Sequence, residues 1–558
     1  MPVGVRGITR KGSEPTPRWT APRHSPRGLG RSWREGPSGR AIIAAAVAGA
    51  ACKLLIAATT YGTNDVYAYE RFADWARYLG VELYRVAWDF NHPPSMIHVL
   101  RVMSWLATAT GISFAFWLRL PGILADAGTL WLVWRLLRER AQERTYRWAL
   151  LFFAVAPPLL LVSGFHGNTD GVMVFFLVLS VYLTTREKDV AAGAAFGAAT
   201  CFKIVPVIAL PVLLLYRPSY RRLLAFGSGA AVVVVVGWTP FIFQDPAPIL
   251  QHVFGYRSLF GHWGLSYLAV RLAQASPPWQ SVVAALEAYG TFLQLGAIVL
   301  LSLALNKGGK KPEVFAQAAL VFLLFLSVSS GFSVQYLAWP APFVVWLGAL
   351  PALLYVAASG VFLFLVYDFW SQGLPWYLAD SNLIGDYQGH FDYSQVVCWL
   401  TMVALLWAAW RQARTGRTLE QILRLRVPPP ALRLAITSIA LLALLWPLSG
   451  LRAAASDAGV VMRALTAVRA QSSLDLSYLL YQRGRYHDTI VAANETLKLV
   501  PDSAEAYNNI AAAHASLQEW DEAIRSAQEA LRIRPDFPLA RNNLLWAESH
   551  QTNQGGRR

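Results

Sequence analysis

The sequence is poor in charge. Asp, Glu, Lys and Arg make up 15% of its 558 residues, against roughly 25% in an average soluble domain. With 55% hydrophobic residues, this excludes both a disordered chain and a purely soluble enzyme. Cysteine is scarce. Cys52, Cys201 and Cys398 all lie in apolar runs, so neither a disulfide framework nor a Cys-based zinc site is readable. No Walker-type loop, dinucleotide glycine fingerprint or nucleophile elbow occurs. The first 40 residues lack any apolar run. They hold nine Arg or Lys and two Glu among many Pro, Gly and Ser. They read as a disordered basic cytoplasmic tail, because a cleavable signal peptide needs a short apolar core near its start. Such a tail either only sets topology or also rests on anionic lipid.

Aromatics and apolar runs are abundant. There are 22 Trp, 22 Tyr and 27 Phe, which suits anchoring at two water–lipid interfaces. The runs predict an all-α fold: a polytopic membrane bundle of about 13 spans over 41–450. The spans fall near 41–60, 116–136, 147–163, 171–185, 190–203, 204–217, 223–243, 281–305, 314–331, 336–350, 352–369, 394–411 and 431–450. The 190–217 pair is too short for two full crossings of about 20 residues each and reads as a half-depth hairpin with Lys203 and Pro206 at its tip.

The net charge of +16 is unevenly placed. Three basic clusters fall on one side: Arg135, Arg138, Arg140, Arg144 and Arg147; Lys307, Lys310 and Lys311; and Arg411, Arg414, Arg417, Arg424 and Arg426. The positive-inside rule makes that side cytoplasmic. The outer loops are then 61–115, 164–170, 244–280, 332–336 and 370–393, all aromatic or polar. Within the first, Val66–Val86 reads as an amphipathic helix lying along the interface. Ser95–Thr110 is short for a span and reads as a second interfacial or re-entrant helix.

Beyond 450 the composition changes. Residues 451–558 balance twelve basic against twelve acidic side chains. After a linker at 451–469, Gly484, Tyr486, Ile490, Ala493, Leu497 and Pro501 recur 34 residues later as Gln518, Trp520, Ile524, Ala527, Leu531 and Pro535. That spacing predicts a small α-solenoid of tetratricopeptide (TPR) type over 470–550, with two repeats and a capping helix, then a disordered tail at 551–558. The array is either a partner-binding groove or a spacer. Thirteen crossings place it outside.

Polar residues in the outer loops are the candidate site. Asp65, just after the first span, can accept a proton from a hydroxyl substrate while a lipid-borne group approaches from the bilayer; Asn64 and Asp65 also suit a helix N-cap. Glu70, His92 and His390 are further pocket candidates. His166, Asn168 and Asp170 sit in a tight polar loop that can bind phosphate, sugar or metal, or simply cap the next helix. Gln335 and Tyr336 stand at a span boundary, where Tyr also serves the ordinary aromatic belt. Lys53, Arg119, Asp126, Lys203 and Glu287 are costly in lipid and should face the bundle interior or snorkel.

Several stretches together resemble the class C (GT-C) membrane glycosyltransferases, which use polyprenyl-phosphate-linked sugars. The Asp65 stretch is similar to that superfamily's first outer loop, with its acidic base. Asn91-His92-Pro93-Pro94 is similar to its His/Tyr-Pro-Pro element. Gly167-Asn168-Thr169-Asp170 resembles its second outer-loop motif, Phe202-Lys203-Ile204-Val205-Pro206 its Lys-x-x-Pro hairpin, and Gln335-Tyr336-Leu337-Ala338-Trp339-Pro340 a Gln-Tyr-x-x-Trp element of mannosyltransferase-like branches. The likeness covers about 41–450. It implies an inverting transfer of a sugar, mannose or another hexose or pentose, from a polyprenyl phosphate to an acceptor hydroxyl on the extracytoplasmic face. Asp65 would be the base. Lys203, with Arg257 and His262, would steady the leaving phosphate. His166, Asp170, Gln335 and Tyr336 would line the pocket. The paired acids of metal-dependent relatives are missing from the second loop, so no metal is expected, and no cofactor beyond the lipid-linked co-substrate.

Expected partners are the lipid-linked sugar, a glycan, lipid or protein acceptor, membrane lipids and a protein on the repeats, but no nucleic acid. Composition suggests a bacterial plasma membrane, with the N-terminus cytoplasmic. Two rival readings are a transporter or flippase of a lipid-linked or polar solute, and a TPR scaffold for envelope glycan assembly. No inverted repeat supports the transporter.

Overall fold

The computed structural model describes residues 36–138, 144–307, 311–373, 376–423 and 458–555. Most of the basic tail, the predicted span 431–450, and Arg140, Lys310, Arg424 and Arg426 lie outside the described residues. The all-α expectation holds: strands among the described residues are four two-residue pieces.

Ser38 caps the first helix, α1 (Gly39–Thr59), by accepting the Ala41 N–H at 3.1 Å. At 1.5 Å per residue α1 is about 31 Å long, enough to cross the hydrocarbon. There follow α2 (Asn64–Leu79), α3 (Ser95–Thr110), α4 (Phe114–Leu137), α5 (Arg144–Ala154, continued by Pro157–His166), α6 (Asp170–Thr185), α7 (Asp189–Phe202) and α8 (Tyr220–Trp238). The bundle is completed by α9 (Trp279–Asn306), α10 (Val314–Val328), α11 (Ala349–Trp370) and α12 (Asp392–Thr415). Among the described residues seven helices are long and apolar enough to cross a membrane, and five shorter apolar segments stand beside them. The predicted runs thus appear as helices, but several are too short to span alone.

These helices run between two ends. At one end Arg217 and Arg222 hold Asp189, at 3.0 and 2.6 Å, and Glu420 accepts the Leu350 N–H at 2.7 Å. Arg135, Arg147, Lys307 and Arg411 belong to helix termini at this end. The opposite end carries the long polar loops. The α7–α8 contact is close because Gly193 and Gly197, one turn apart, pack on the backbone of Phe226 and Ala230, and Gly229 packs on that of Val190 and Ala194; a Cβ at Gly193 or Gly229 would strike the partner helix backbone. Small residues are what let helices approach in lipid. This contact fixes the end of α7, and therefore Lys203.

Intramembrane charges sort by partner. Lys53 is buried and pairs with buried Asp126 at 2.5 Å, so it does not snorkel. Glu287 is exposed on α9 rather than facing the interior.

Helices α2 and α3 pack on one another and on α4 around Phe72, Trp75, Leu83, Tyr84, Ile97 and Leu100. The amphipathic sequence of α2 thus buries its apolar face in protein. The polar face meets the repeat domain. That domain opens with α13 (Ala458–Gln482), which begins inside the stretch expected as a linker; Leu465 and Ala470 are buried on it, and this apolar spacing continues the helix. There follow α14 (Tyr486–Leu499), α15 (Ala504–Ser516), α16 (Trp520–Ile533) and the capping α17 (Pro538–Gly555), which runs past residue 550. Ala493, Ile510, Ala511, Ala523, Ala527 and Ala530 are buried between the helices.

The repeats dock on α2. Trp75 Nε1 donates to the Ser472 carbonyl at 3.2 Å. Arg469 meets Glu70 at 3.1 Å and Arg483 meets Glu82 at 2.6 Å. Arg485 donates to the Tyr78 carbonyl, and Leu476, Leu480 and Ala492 join the α2 core. Burial and Glu70 push the Asp74 carboxyl up to about 6, with Arg77 and Arg469 opposing and Glu495 reinforcing. A raised folded-state value means that stability is full below the unfolded value near 4 and is lost as pH rises through about 6. Asp74→Asn should therefore raise the melting temperature in detergent at pH 7.5, by roughly 2–4 °C, and leave it unchanged at pH 4.

Candidate active site

The site is built from the end of α1 upward. Thr60 terminates α1, returning its N–H to the Ile56 carbonyl at 3.0 Å. Arg119, from the first turns of α4, is wholly buried, and among the described residues no carboxylate pairs with it. It donates to the Thr60 carbonyl at 3.1 Å, to Thr60 Oγ1 at 3.2 Å and to the Tyr61 carbonyl. A cation at the negative end of a helix dipole is favourable, and here it also absorbs carbonyls the helix leaves bare.

The chain then pairs as β1 (Gly62–Thr63), parallel to β4 (Leu378–Ala379). Thr63 caps α2: its Oγ1 accepts the Asp65 N–H at 3.3 Å and donates to the His166 carbonyl at 2.7 Å. The cap is therefore Thr63, not Asn64 or Asp65, and the Asp65 side chain is free for other work.

Asp65 Oδ2 meets His166 Nε2 at 2.9 Å, and His166 Nδ1 meets the Tyr367 hydroxyl at 2.9 Å. Burial would raise the Asp65 carboxyl, but His166, then Lys203 and His92, hold it below the usual carboxylate range. It is ionised at neutral pH. Although the residue sits in a recess, 36% of its side chain remains open.

The loop after α5 supplies the second part. Gly167 turns at φ +80, with Val66 and Arg119 where a Cβ would lie. Asn168 takes the Asp170 N–H at 3.1 Å and donates to Asp170 Oδ2 at 2.8 Å. Lys203 Nζ, just past α7, donates to Asp170 Oδ1 at 2.6 Å. Asp170 is wholly buried, while Lys203 keeps part of its side chain open. Lys203 Nζ also stands 6.0 Å from the Trp339 ring, on which Tyr336 stacks at 3.9 Å. The hydroxyls of Tyr256, Tyr336 and Ser258 adjoin. Their loops are stitched together by β2 (Leu259–Phe260) and β3 (Gly331–Phe332), which pair antiparallel.

His92 closes the group. Its ring stacks on Tyr69 at 4.9 Å, and its Nδ1 is buried without a protein partner. Burial, with Lys203 adding and Asp65 opposing, pushes it down to about 3, so it is neutral.

The structure thus brings together Asp65, His92, His166, Asn168, Asp170, Lys203 and Tyr336. It does not bring the remaining candidates into this cluster. Glu70 accepts from the Tyr61 hydroxyl at 2.8 Å and pairs with Arg469 of the repeats. His262 faces Asp386 at 3.5 Å under loop 376–391. His390 packs on Phe369 at 4.5 Å. Gln335 is buried in its own turn, accepting from Ser333 Oγ at 2.6 Å. Arg257 is exposed next to Tyr256, on the loop beside the cluster. Sequence reasoning missed Tyr69, Tyr256 and Tyr367, which carry no signal in aromatic-rich runs, and the role of Arg119, whose signal was a charge in a span. Among the described residues, no three His, Cys, Asp or Glu side chains converge as a metal cage would require.

Residues 90–330 match the sequence model of Glycosyltransferase family 87, and residues 504–537 match the Tetratricopeptide repeat. The GT-C resemblance is therefore borne out: a multi-helix apolar segment matches a glycosyltransferase family model, and a tetratricopeptide repeat follows it.

Among curated proteins the chain is similar to GPI mannosyltransferase 1 of Trypanosoma brucei brucei, with 29% identity over 22% of this chain and 28% of the relative. It is also similar to dolichyl pyrophosphate Glc1Man9GlcNAc2 alpha-1,3-glucosyltransferase of Arabidopsis thaliana, 24% identical over 28% of this chain and 36% of the relative. The Schizosaccharomyces pombe protein of the same name is 23% identical over 34% of this chain and 46% of the relative. The chain thus spans less than half the length of each of these three relatives.

Replacing Arg119 by Met should leave the Thr60 and Tyr61 carbonyls buried and unpaired. The expected cost is roughly 2–3 kcal/mol, read as a lower unfolding temperature of the purified protein. An unchanged temperature would show that the guanidinium does not hold this loop.

Proposed function

We propose that the protein is a membrane glycosyltransferase that moves a sugar from a polyprenyl-phosphate donor to an acceptor hydroxyl. The observation that carries this reading is one recess holding an ionised carboxylate with a partly open side chain, Asp65, near the partly open side chain of Lys203. Asp65 takes the acceptor's hydroxyl proton. The acceptor oxygen then bonds to the anomeric carbon as the bond from that carbon to the phosphate oxygen breaks. Polyprenyl phosphate leaves with the electron pair, and a single backside attack inverts the centre.

Lys203 has three N–H donors. Asp170 takes one and aims the others, so the remaining charge meets the developing phosphate without reorganisation. Exposed Arg257 adds a second positive charge on the neighbouring loop. His92, being neutral, can donate to or accept from a sugar hydroxyl without competing for the phosphate.

The printed names of the relatives favour a hexose, mannose or glucose. The acceptor is a glycan, lipid or protein, and no cofactor beyond the lipid-linked co-substrate enters the reaction. The basic end is proposed to be cytoplasmic, which puts the Asp65 end and the docked repeats outside a bacterial plasma membrane, with the repeats free to recruit a protein.

In isolated membranes supplied with synthetic polyprenyl-phosphate sugars, Asp65→Asn should reduce transfer by roughly 10²–10⁴-fold while donor binding stays near normal. Wild-type turnover by that variant would remove Asp65 from the chemistry. Lys203→Met should instead weaken donor binding, seen as a KM raised at least tenfold.

A further inference from the structure

The proposed function assigns Asp65 as base but not which of its two oxygens does the work. Two contacts bear on that choice. Tyr367 is wholly enclosed on α11, and among the described residues its hydroxyl meets His166 Nδ1 alone, at 2.9 Å. His166 is itself buried, and its other nitrogen meets Asp65 Oδ2 at 2.9 Å. Among the described residues no hydrogen bond reaches Asp65 Oδ1, and 36% of the side chain is open.

The ring can be arranged in few ways. A bare Nε2 facing a carboxylate oxygen is repulsive, so Nε2 carries a proton in either protonation state of the ring. In the neutral ring Nδ1 is then an acceptor, and the Tyr367 O–H is its donor. Tyr367 thereby matches that tautomer and anchors the ring from its far side, so that the Nε2–H stays on Oδ2.

We propose that Tyr367 and His166 are a buried positioning pair that dedicates Asp65 Oδ2 to structure and leaves Oδ1 as the base. Neither touches the reacting atoms. Their backbones come from two different elements, the turn before α6 and the last third of α11, so the carboxylate is oriented from outside its own loop. The Thr63 hydroxyl ties the same turn to α2 through the His166 carbonyl, and the two links together limit rotation of the Asp65 side chain.

This inference rests on the proposed role of Asp65, but its test does not need turnover. A hydrophobic carbodiimide labels protonated carboxyls, and peptide mass spectrometry reads labelling at Asp65 against pH. In Tyr367→Phe the ring keeps its Nε2–H but loses the anchor on Nδ1 that holds it on Oδ2, and the pH of half-labelling should rise by about one unit. His166→Leu should rise at least as far. His166→Gln, which can still donate to Oδ2, should lie between it and the wild type. With a polyprenyl-phosphate sugar as donor, Tyr367→Phe should lower kcat about tenfold, move the acid limb of the pH profile upward and leave the donor KM unchanged. Labelling profiles identical in wild type and Tyr367→Phe would overturn the pair, as would a change confined to thermal stability. Normal turnover of Asp65→Asn combined with the shifted labelling would sink the assignment of the base and leave the pair standing.

Discussion

A carboxylate held ionised at the edge of an apolar bundle is the constraint on which the rest depends. Burial alone would neutralise it. His166, Lys203 and His92 reverse that tendency, and each is brought from a different part of the chain. The cost is met structurally. Arg119 fixes the end of α1, Thr63 caps α2, and the Gly167 turn passes where no side chain fits. Asp170 has the parallel place beside Lys203: fully buried, it holds the ammonium at 2.6 Å. Preorganised charge of both signs a short distance apart is what group transfer to and from a phosphate needs.

The second consequence concerns α2. It carries Asp65 near its start and the repeat domain along its later turns, through Glu70, Trp75, Tyr78 and the following Glu82. The membrane domain and the solenoid therefore share one rigid helix. Two repeats and a cap are near the lower limit for a stable array, and the α2 interface supplies apolar burial that the array lacks by itself. Movement of the repeats would reach the carboxylate within the length of a single helix.

Much of this was legible in the sequence, for identifiable reasons. Long apolar runs and basic loops gave helix positions within a few residues, because hydrophobic length is the dominant constraint in lipid. The TPR period gave the solenoid. Asp65, His166, Asp170 and Lys203 were visible because charge beside lipid is costly and so stands out. Other parts were silent. Tyr367 sits in a 22-residue apolar helix, where a tyrosine looks like any belt residue. Glu70, His262 and His390 had the right chemistry in the right loops, yet tertiary contacts gave them structural partners. The Lys53–Asp126 pair needed a helix pairing that spacing does not reveal. Asn64 and Asp65 looked like caps, and only the fold shows that Thr63 takes that place.

The most direct measurement is an experimental structure of the protein with an unreactive polyprenyl-phosphate sugar analogue. The account predicts the phosphate within hydrogen-bond reach of Lys203 Nζ, with the anomeric carbon facing Asp65 Oδ1 across a gap that admits one hydroxyl. A phosphate seated away from Lys203, or a sugar on the basic side of the bundle, would contradict it.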